Sequence, residues 1–338
     1  MRQTILFDKK PVLAGWASVA GKKESEGPLG SYFDITTDDD TFSGKNWEQA
    51  ESRMQTAAVN IALSKCAYTK EDIGAIVAGD LLGQLMATSF GISEMQFPFL
   101  GVYGACSTMG ESMAVASMLV AAGFRDNVIA LTSSHFATAE KQFRFPLGYG
   151  NQRPYSATTT VTGSGAVIIS SEYKQSDICI EGVTIGKIED YGIKDANNMG
   201  AAMAPAAYSV IEANLRENDM KACEYSRIIT GDLGKVGGKI LKDMLLHSGI
   251  DIEDNYMDCG MQIYNIEEQD AHSGGSGCGC AAITLCGYIL DKLKSGEWER
   301  VLFVPTGALL STVSLHEGNT IPAIAHGIML SGMNHTGK

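Results

Sequence analysis

Between residues 46 and 67 apolar side chains recur at three- and four-residue spacing among good helix formers, which predicts an amphipathic helix. The run Ile73–Gly79 is short, apolar and closed by Gly79-Asp80, the pattern of a buried strand. A second strand is expected over Phe97–Gly104. It leads at once into Ala105-Cys106-Ser107-Thr108 and a helix of small residues at 109–122. A third covers Asn127–Leu131 and ends in a turn, Thr132-Ser133-Ser134-His135. The Thr158–Ile169 run closes this series as another strand. Its Gly163 and Gly165 would let something pass close to the backbone, a pocket floor being one reading. Strands alternating with helices predict an α/β fold with a mainly parallel sheet.

The second half repeats the order. Ser226–Thr230 runs into Gly231-Asp232-Leu233, as the earlier strand runs into Gly79-Asp80-Leu81. A turn at Gly274-Gly275-Ser276-Gly277-Cys278 then opens a small-residue helix at 279–290, and Glu299–Val304 parallels Asp126–Leu131 before Thr306-Gly307. These landmarks predict an internal duplication, with one half at 1–172 and the other at 173–338. No Pro/Ser linker separates them, so the halves are expected to share an interface. Ser331–Lys338 reads as a frayed tail.

Composition narrows the function classes. The 338 residues amount to about two domains of ordinary size. With 26 Lys and Arg against 39 Asp and Glu, the net charge is −13, which disfavours generic binding to nucleic acid or to an anionic membrane. An anionic small ligand would need a locally positive pocket. The eight cysteines form no disulfide-like framework, and the opening Met-Arg-Gln-Thr carries charge where a secretory signal is apolar. No stretch offers about 20 consecutive apolar residues. The expectation is a soluble intracellular chain with reduced thiols, held to a membrane only through partners.

Cys106 is the sharpest chemical candidate. A thiol between a strand and a helix meets free backbone N–H groups and the positive end of the helix dipole, which favour a thiolate nucleophile. The same geometry receives a carboxylate without covalent chemistry. Ser107 shares that turn. His135, beside Ser133 and Ser134, sits at the carboxyl end of a strand, where α/β folds place ligands. Arg144, between Phe143 and Phe145, can supply positive charge, whereas Lys141 reads as solvated. Asp80 and Asp232 end the paired strands. Capping is the favoured role for Asp80, and Asp232 is kept as a ligand candidate. His272 is a weaker candidate before the glycine turn. Cys278-Gly279-Cys280 lacks a second Cys or His pair at metal-binding spacing and reads as helix packing. Gly231–Lys239 lacks the spacing of a phosphate-binding loop, and Asp38-Asp39-Asp40 reads as a solvated loop. No cofactor and no resident metal are required.

A strand, Gly104-Ala105-Cys106 and a small-residue helix, in a doubled chain closed by Thr162-Gly163-Ser164-Gly165-Ala166-Val167, resemble the thiolase-like superfamily, which includes β-ketoacyl synthase III. The resemblance implies two similar α-β-α-β-α halves packed in five layers. Enzymes of that group pair the cysteine with a second-half His and with an Asn or second His. Here Gly231-Asp232-Leu233-Gly234 and Gly274-Gly275-Ser276 stand where those motifs are expected, which implies a scaffold kept for binding. Longer strings are similar to the stage V sporulation protein AD family: Gly104–Thr108, Thr132–His135, Ala137–Glu140, Met203–Ala207, Gly274–Cys278 and Ile321–Gly327.

This second resemblance covers nearly the whole chain. It implies binding of dipicolinic acid (pyridine-2,6-dicarboxylate) or its calcium chelate, in support of its uptake into the forespore. It also implies membrane-embedded partners of the same operon, peripheral association with the spore inner membrane and a homodimer. One carboxylate is then expected at Cys106 and Ser107, the other at Ser133, Ser134, His135 and Arg144, with Asp232 nearby. The alternative is an acyltransferase or condensing enzyme that uses Cys106 as acyl acceptor.

Overall fold

The computed structural model describes residues 2–143, 153–172 and 178–332. Ten strands make the path of one large mixed sheet: β1 (Val12–Ala20), β2 (Ala75–Asp80), β3 (Phe99–Gly101), β4 (Asn127–Ser134), β5 (Gly163–Ser170), β6 (Ile178–Ile185), β7 (Arg227–Thr230), β8 (Tyr256–Asp258), β9 (Arg300–Val304) and β10 (Ala323–Gly332). Their order across the sheet is β8-β7-β9-β10-β6-β1-β5-β4-β2-β3. Read from the middle outward, the two sides carry the same sequence of roles, with β1 answering β6 and β2 answering β7. Along this path, parallel pairing is confined to the outer strands, β3-β2-β4 and β8-β7-β9. The interior pairs are antiparallel, because β5 and β10 return against β4 and β9 instead of following a crossover helix. The sheet is therefore less parallel than the sequence pattern predicts.

Seven helices matter for the argument: α1 (Trp47–Cys66), α2 (Met86–Met95), α3 (Thr108–Ala121), α4 (Phe136–Phe143), α5 (Met199–Glu217), α6 (Gly234–His247) and α7 (Cys278–Thr284). Helix α7 continues through a π-turn at Leu285–Ile289 into Leu290–Lys294. Alternation along the strands sorts side chains between layers. Val128 and Ala130 of β4 join one core cluster with Met109, Met113 and Val120 of α3 and with α7. Ile129 and Leu131 join another with Met54, Ala58 and Ala62 of α1. In the second half Phe303 faces the central cluster, while Leu302 and Val304 meet α5 and α6. The result is five layers, with α3 and α7 in the middle and helices covering both outer faces.

Local chemistry sets the element ends. The Asn46 side chain accepts the Gln49 amide at 2.8 Å and caps α1. Asp80 behaves as a cap at a distance, accepting the amide of Thr88 in the first turn of α2 at 3.0 Å. Strand β4 runs three residues further than the pattern predicts, so Thr132, Ser133 and Ser134 lie in the strand rather than in a turn. Strand β3 is only three residues long and partly exposed, since it forms a sheet edge. Thr306–Ala308 is a short strand paired with β10, not a turn. Ser331 and Gly332 belong to β10, and 333–338 lie outside the described residues. The boundary expected near residue 172 falls beside 173–177, also outside them.

Gly163 and Gly165 floor no pocket. They receive α7: a Cβ on Gly165 would stand 2.6 Å from the Ala282 carbonyl oxygen, and one on Gly163 2.8 Å from Ile283. Gly165→Ala should therefore cost about 1–3 kcal/mol in urea unfolding. Gly83→Ala, whose Cβ meets nothing nearer than 3.8 Å, should stay within about 0.5 kcal/mol.

Candidate functional site

The turn Ala105–Ser107 carries Cys106 from the edge of the sheet into the first turn of α3. Its left-handed Ala105 (φ 50°) folds the chain sharply there. Cys106 is buried, and its thiol faces the Asp232 carboxyl. Asp232 also accepts the Gly277 amide at 2.9 Å and faces the Thr306 hydroxyl at 3.4 Å. Burial, followed by the Asp232 carboxylate, holds the thiol far above its ordinary range. Burial likewise pushes Asp232 up to about 7. Burial thus opposes the helix dipole and biases Cys106 toward the neutral thiol.

The remaining sequence candidates divide. The Ser107 hydroxyl donates to Gly104 O at 2.7 Å, inside its own turn. Ser134 donates to Val161 O at 2.7 Å and accepts the Gly279 amide at 3.1 Å, tying β4 to the start of α7. Ser133 donates to Glu51 at 2.7 Å and accepts from Gln55 at 2.7 Å. His135 accepts the Ala137 amide on Nδ1 at 3.2 Å. Its Nε2 must then carry the proton and donate to Asp40 O at 2.8 Å. This imidazole is neutral, burial lowering its pKa, and it anchors the Asp40 carbonyl while Asp38–Asp40 stay exposed, as the solvated-loop reading predicts. Arg144 lies outside the described residues.

Behind Ser133 stands a buried polar network that sequence reasoning missed. Gln55 donates to Thr88 as well as Ser133, and Thr88 donates to Asp80 at 2.6 Å. Burial first, then the Asp80 carboxylate, push Glu51 up to about 8. Seven of the eight cysteines are buried, Cys223 being the exposed one, and among the described residues no cluster of His, Cys, Asp or Glu has the geometry of a metal site.

Two cavities adjoin, sharing Glu140 and Thr160 in their walls. The hollow over Cys106 measures about 40 Å³ and is walled by Leu81, Tyr103, Ala139, Phe143 and Leu310, with no histidine among its lining residues. At roughly 10–15 Å³ per water it holds a few waters and no aromatic ring. The neighbouring cleft measures about 540 Å³, inside the ~300–1,000 Å³ range of small-molecule sites. Lys22, Lys23, Arg153, Trp47 and Phe136 line it beside His135, along with Asp39, Asp40 and Glu140. Asp39 spends its carboxylate on the Thr41 and Ser43 amides. None of the three cations was singled out by motif. Their signal was adjacency: Lys22-Lys23 directly follow a buried strand, and Arg153 follows Arg144 by nine residues.

A family model for Stage V sporulation protein AD matches residues 1–331. The chain belongs to the stage V sporulation protein AD family. It is 45% identical to Stage V sporulation protein AD of Bacillus subtilis (strain 168) over 328 residues, 97% of this chain and 96% of that one. Membership in this family makes it a sporulation protein. Its fold is thiolase-like. The 3-oxoacyl-[acyl-carrier-protein] synthase III of Aquifex aeolicus VF5 superposes with TM-score 0.58 at 15% identity, covering 95% of this chain and 99% of that one. Cerulenin-bound OleA of Xanthomonas campestris does so with TM-score 0.61 at 15% identity, covering 97% and 98%. At such identities the likeness concerns the fold alone.

The buried acids set a pH dependence. Glu51 and Asp232 hold protons in the folded state that the unfolded chain releases near the ordinary 4.5 and 3.8. The stability this proton uptake contributes is complete below those values and is lost as pH rises through about 7 and 8. Chemical unfolding at pH 5.5 and 8.0 should show a clear loss of stability in the wild type. Glu51→Gln should flatten that loss.

Proposed function

We propose that this chain binds dipicolinic acid, or its calcium chelate, without covalent chemistry, in support of the compound's uptake into the forespore. One observation carries the reading: a 540 Å³ cleft with three cations and flat aromatic walls lies beside a cysteine hollow too small for a ring. The cleft offers three cations to a planar dianion in a chain of net charge −13, beside the carboxyl groups of Glu24, Asp39, Asp40 and Glu140. Its carboxylates at Asp39, Asp40 and Glu140 suit a ligand whose charge calcium has neutralised. The ligand then lies next to Cys106 and Asp232 rather than on them, and Ser107, Ser133, Ser134 and His135 hold the walls in place. The chain works in this reading as a homodimer, beside membrane-embedded stage V sporulation proteins of the same operon and peripheral to the spore inner membrane. Among its described residues no helix is long and apolar enough to cross a membrane.

The reading is also non-catalytic. A condensing enzyme needs a thiolate and a base beside it, and Cys106 has a carboxyl neighbour and a raised thiol pKa.

Calorimetric titration of the wild type with dipicolinate should show saturable binding that strengthens when calcium is added. Cys106→Ala should bind within about twofold of the wild type, and His135→Ala more weakly because the Asp40 segment is released. Absence of binding by the wild type would overturn the reading. Incubation with acyl-CoA followed by intact-mass measurement should leave the chain unmodified, whereas an adduct on Cys106 would establish the condensing-enzyme alternative.

A further inference from the structure

Within the cleft the cations are unevenly provided for. Arg153 is anchored on one side, donating to Thr159 Oγ1 at 3.2 Å and to Asp270 Oδ2 at 2.9 Å. Asp270 is largely exposed, so water screens that pair and weakens its hold. A guanidinium has five N–H donors in a planar fork, and these are its partners among the described residues. Lys23 is half-buried with its ammonium 5.2 Å from the centre of the Tyr264 ring. No carboxylate stands within ion-pair distance of it among the described residues. Burial and then the Arg153 guanidinium pull its pKa down by more than Glu24 and Asp270 raise it. Glu24, next in sequence, does not answer this charge. Its Oε1 accepts the Thr162 amide at 3.0 Å and the Tyr264 hydroxyl, and burial biases it toward the neutral acid.

Two cations thus line one cleft, and neither has a buried carboxylate within ion-pair distance among the described residues. Such a pair is strained when empty and relieved by an anion that reaches both.

Resting on the reading above that the cleft holds dipicolinate, we infer that Lys23 and Arg153 form a two-point receptor that selects aromatic dicarboxylates over monocarboxylates. Arg153, oriented by Thr159 and Asp270, presents its fork to one carboxylate in the bidentate manner. Lys23 meets the second as a point charge. Carboxylates in a 1,3 relation on a flat ring give each cation of the cleft one partner, and the aromatic walls take the ring faces. The ring nitrogen has no part in this recognition. Isophthalate, which keeps the 1,3 spacing and lacks the nitrogen, is therefore a ligand too, and picolinate, with one carboxylate, is a poor one.

The test titrates the full chain by calorimetry, without calcium, with dipicolinate, isophthalate and picolinate. The expected result is that both dicarboxylates bind at least about tenfold more tightly than picolinate. Lys23→Met and Arg153→Gln should each weaken the dicarboxylates by about tenfold and leave picolinate little changed, so that the preference collapses. Arg153→Lys should recover part of it, since it restores charge without the fork. Thermal unfolding of each variant verifies that the fold persists. Dicarboxylate binding that is equal in the wild type and in both charge-removing variants would overturn the receptor while leaving the functional reading intact. Isophthalate binding without dipicolinate binding would support the receptor and overturn the functional reading. No binding of either dicarboxylate overturns both.

Discussion

Helices α3 and α7 lie between two sheet faces and are shut off from water almost completely, and this burial governs what the rest of the molecule can do. Shielding them demands small residues wherever backbone meets backbone, which is why glycines of β5 face the Ala282 carbonyl and the Ile283 side chain. It also favours partners for the polar groups that enter the central layer, although Ser112 Oγ of α3 has none among the described residues. Ser134 has two, bonding Val161 and Gly279 at once. Asp232 has the Gly277 amide and the Thr306 hydroxyl.

The same burial decides the chemistry at Cys106. A helix N-terminus stabilises a negative charge by about 0.3–1 kcal/mol, rising to ~2 in favourable buried cases. Removing an ion from water costs several kcal/mol even after relaxation. With a carboxyl group as neighbour instead of a cation, the balance falls on the neutral side. A position that in a wetter or more basic setting would be a nucleophile is here a packed thiol under a hollow of a few waters. The charged groups suited to meeting a ligand lie one wall away, in the cleft lined by Lys22, Lys23 and Arg153.

Much of the architecture was legible in the sequence because it rests on local signals. Periodicity marked α1 to within one residue at each end, and the Gly-Asp strand ends and the glycine turn before α7 marked the two-fold order of strands. Sheet direction was less legible, since alternation does not tell a strand that returns antiparallel from one that follows a crossover. The site was legible only as a neighbourhood. Cys106 and Asp232 do face each other, whereas His135 lines the neighbouring cleft, and their roles depend on partners distant in sequence. Asp40 fixes the His135 tautomer over 95 residues of separation, and Glu51 takes the Ser133 hydroxyl over 82. Lys22, Lys23 and Arg153 carry no motif, and only the folded chain brings them to one cleft.

The distribution of the thiols has a practical side. With seven of eight cysteines sealed in the interior and Cys223 outside, a water-soluble alkylating reagent meets one thiol on the intact molecule. Thiol modification of the folded protein therefore begins at a position remote in sequence from the cleft. A single fluorophore can be attached there by ordinary maleimide chemistry, with no need to engineer the other seven cysteines away. Loss of that selectivity, with several sulfurs becoming reactive together, would signal that the central layer has opened.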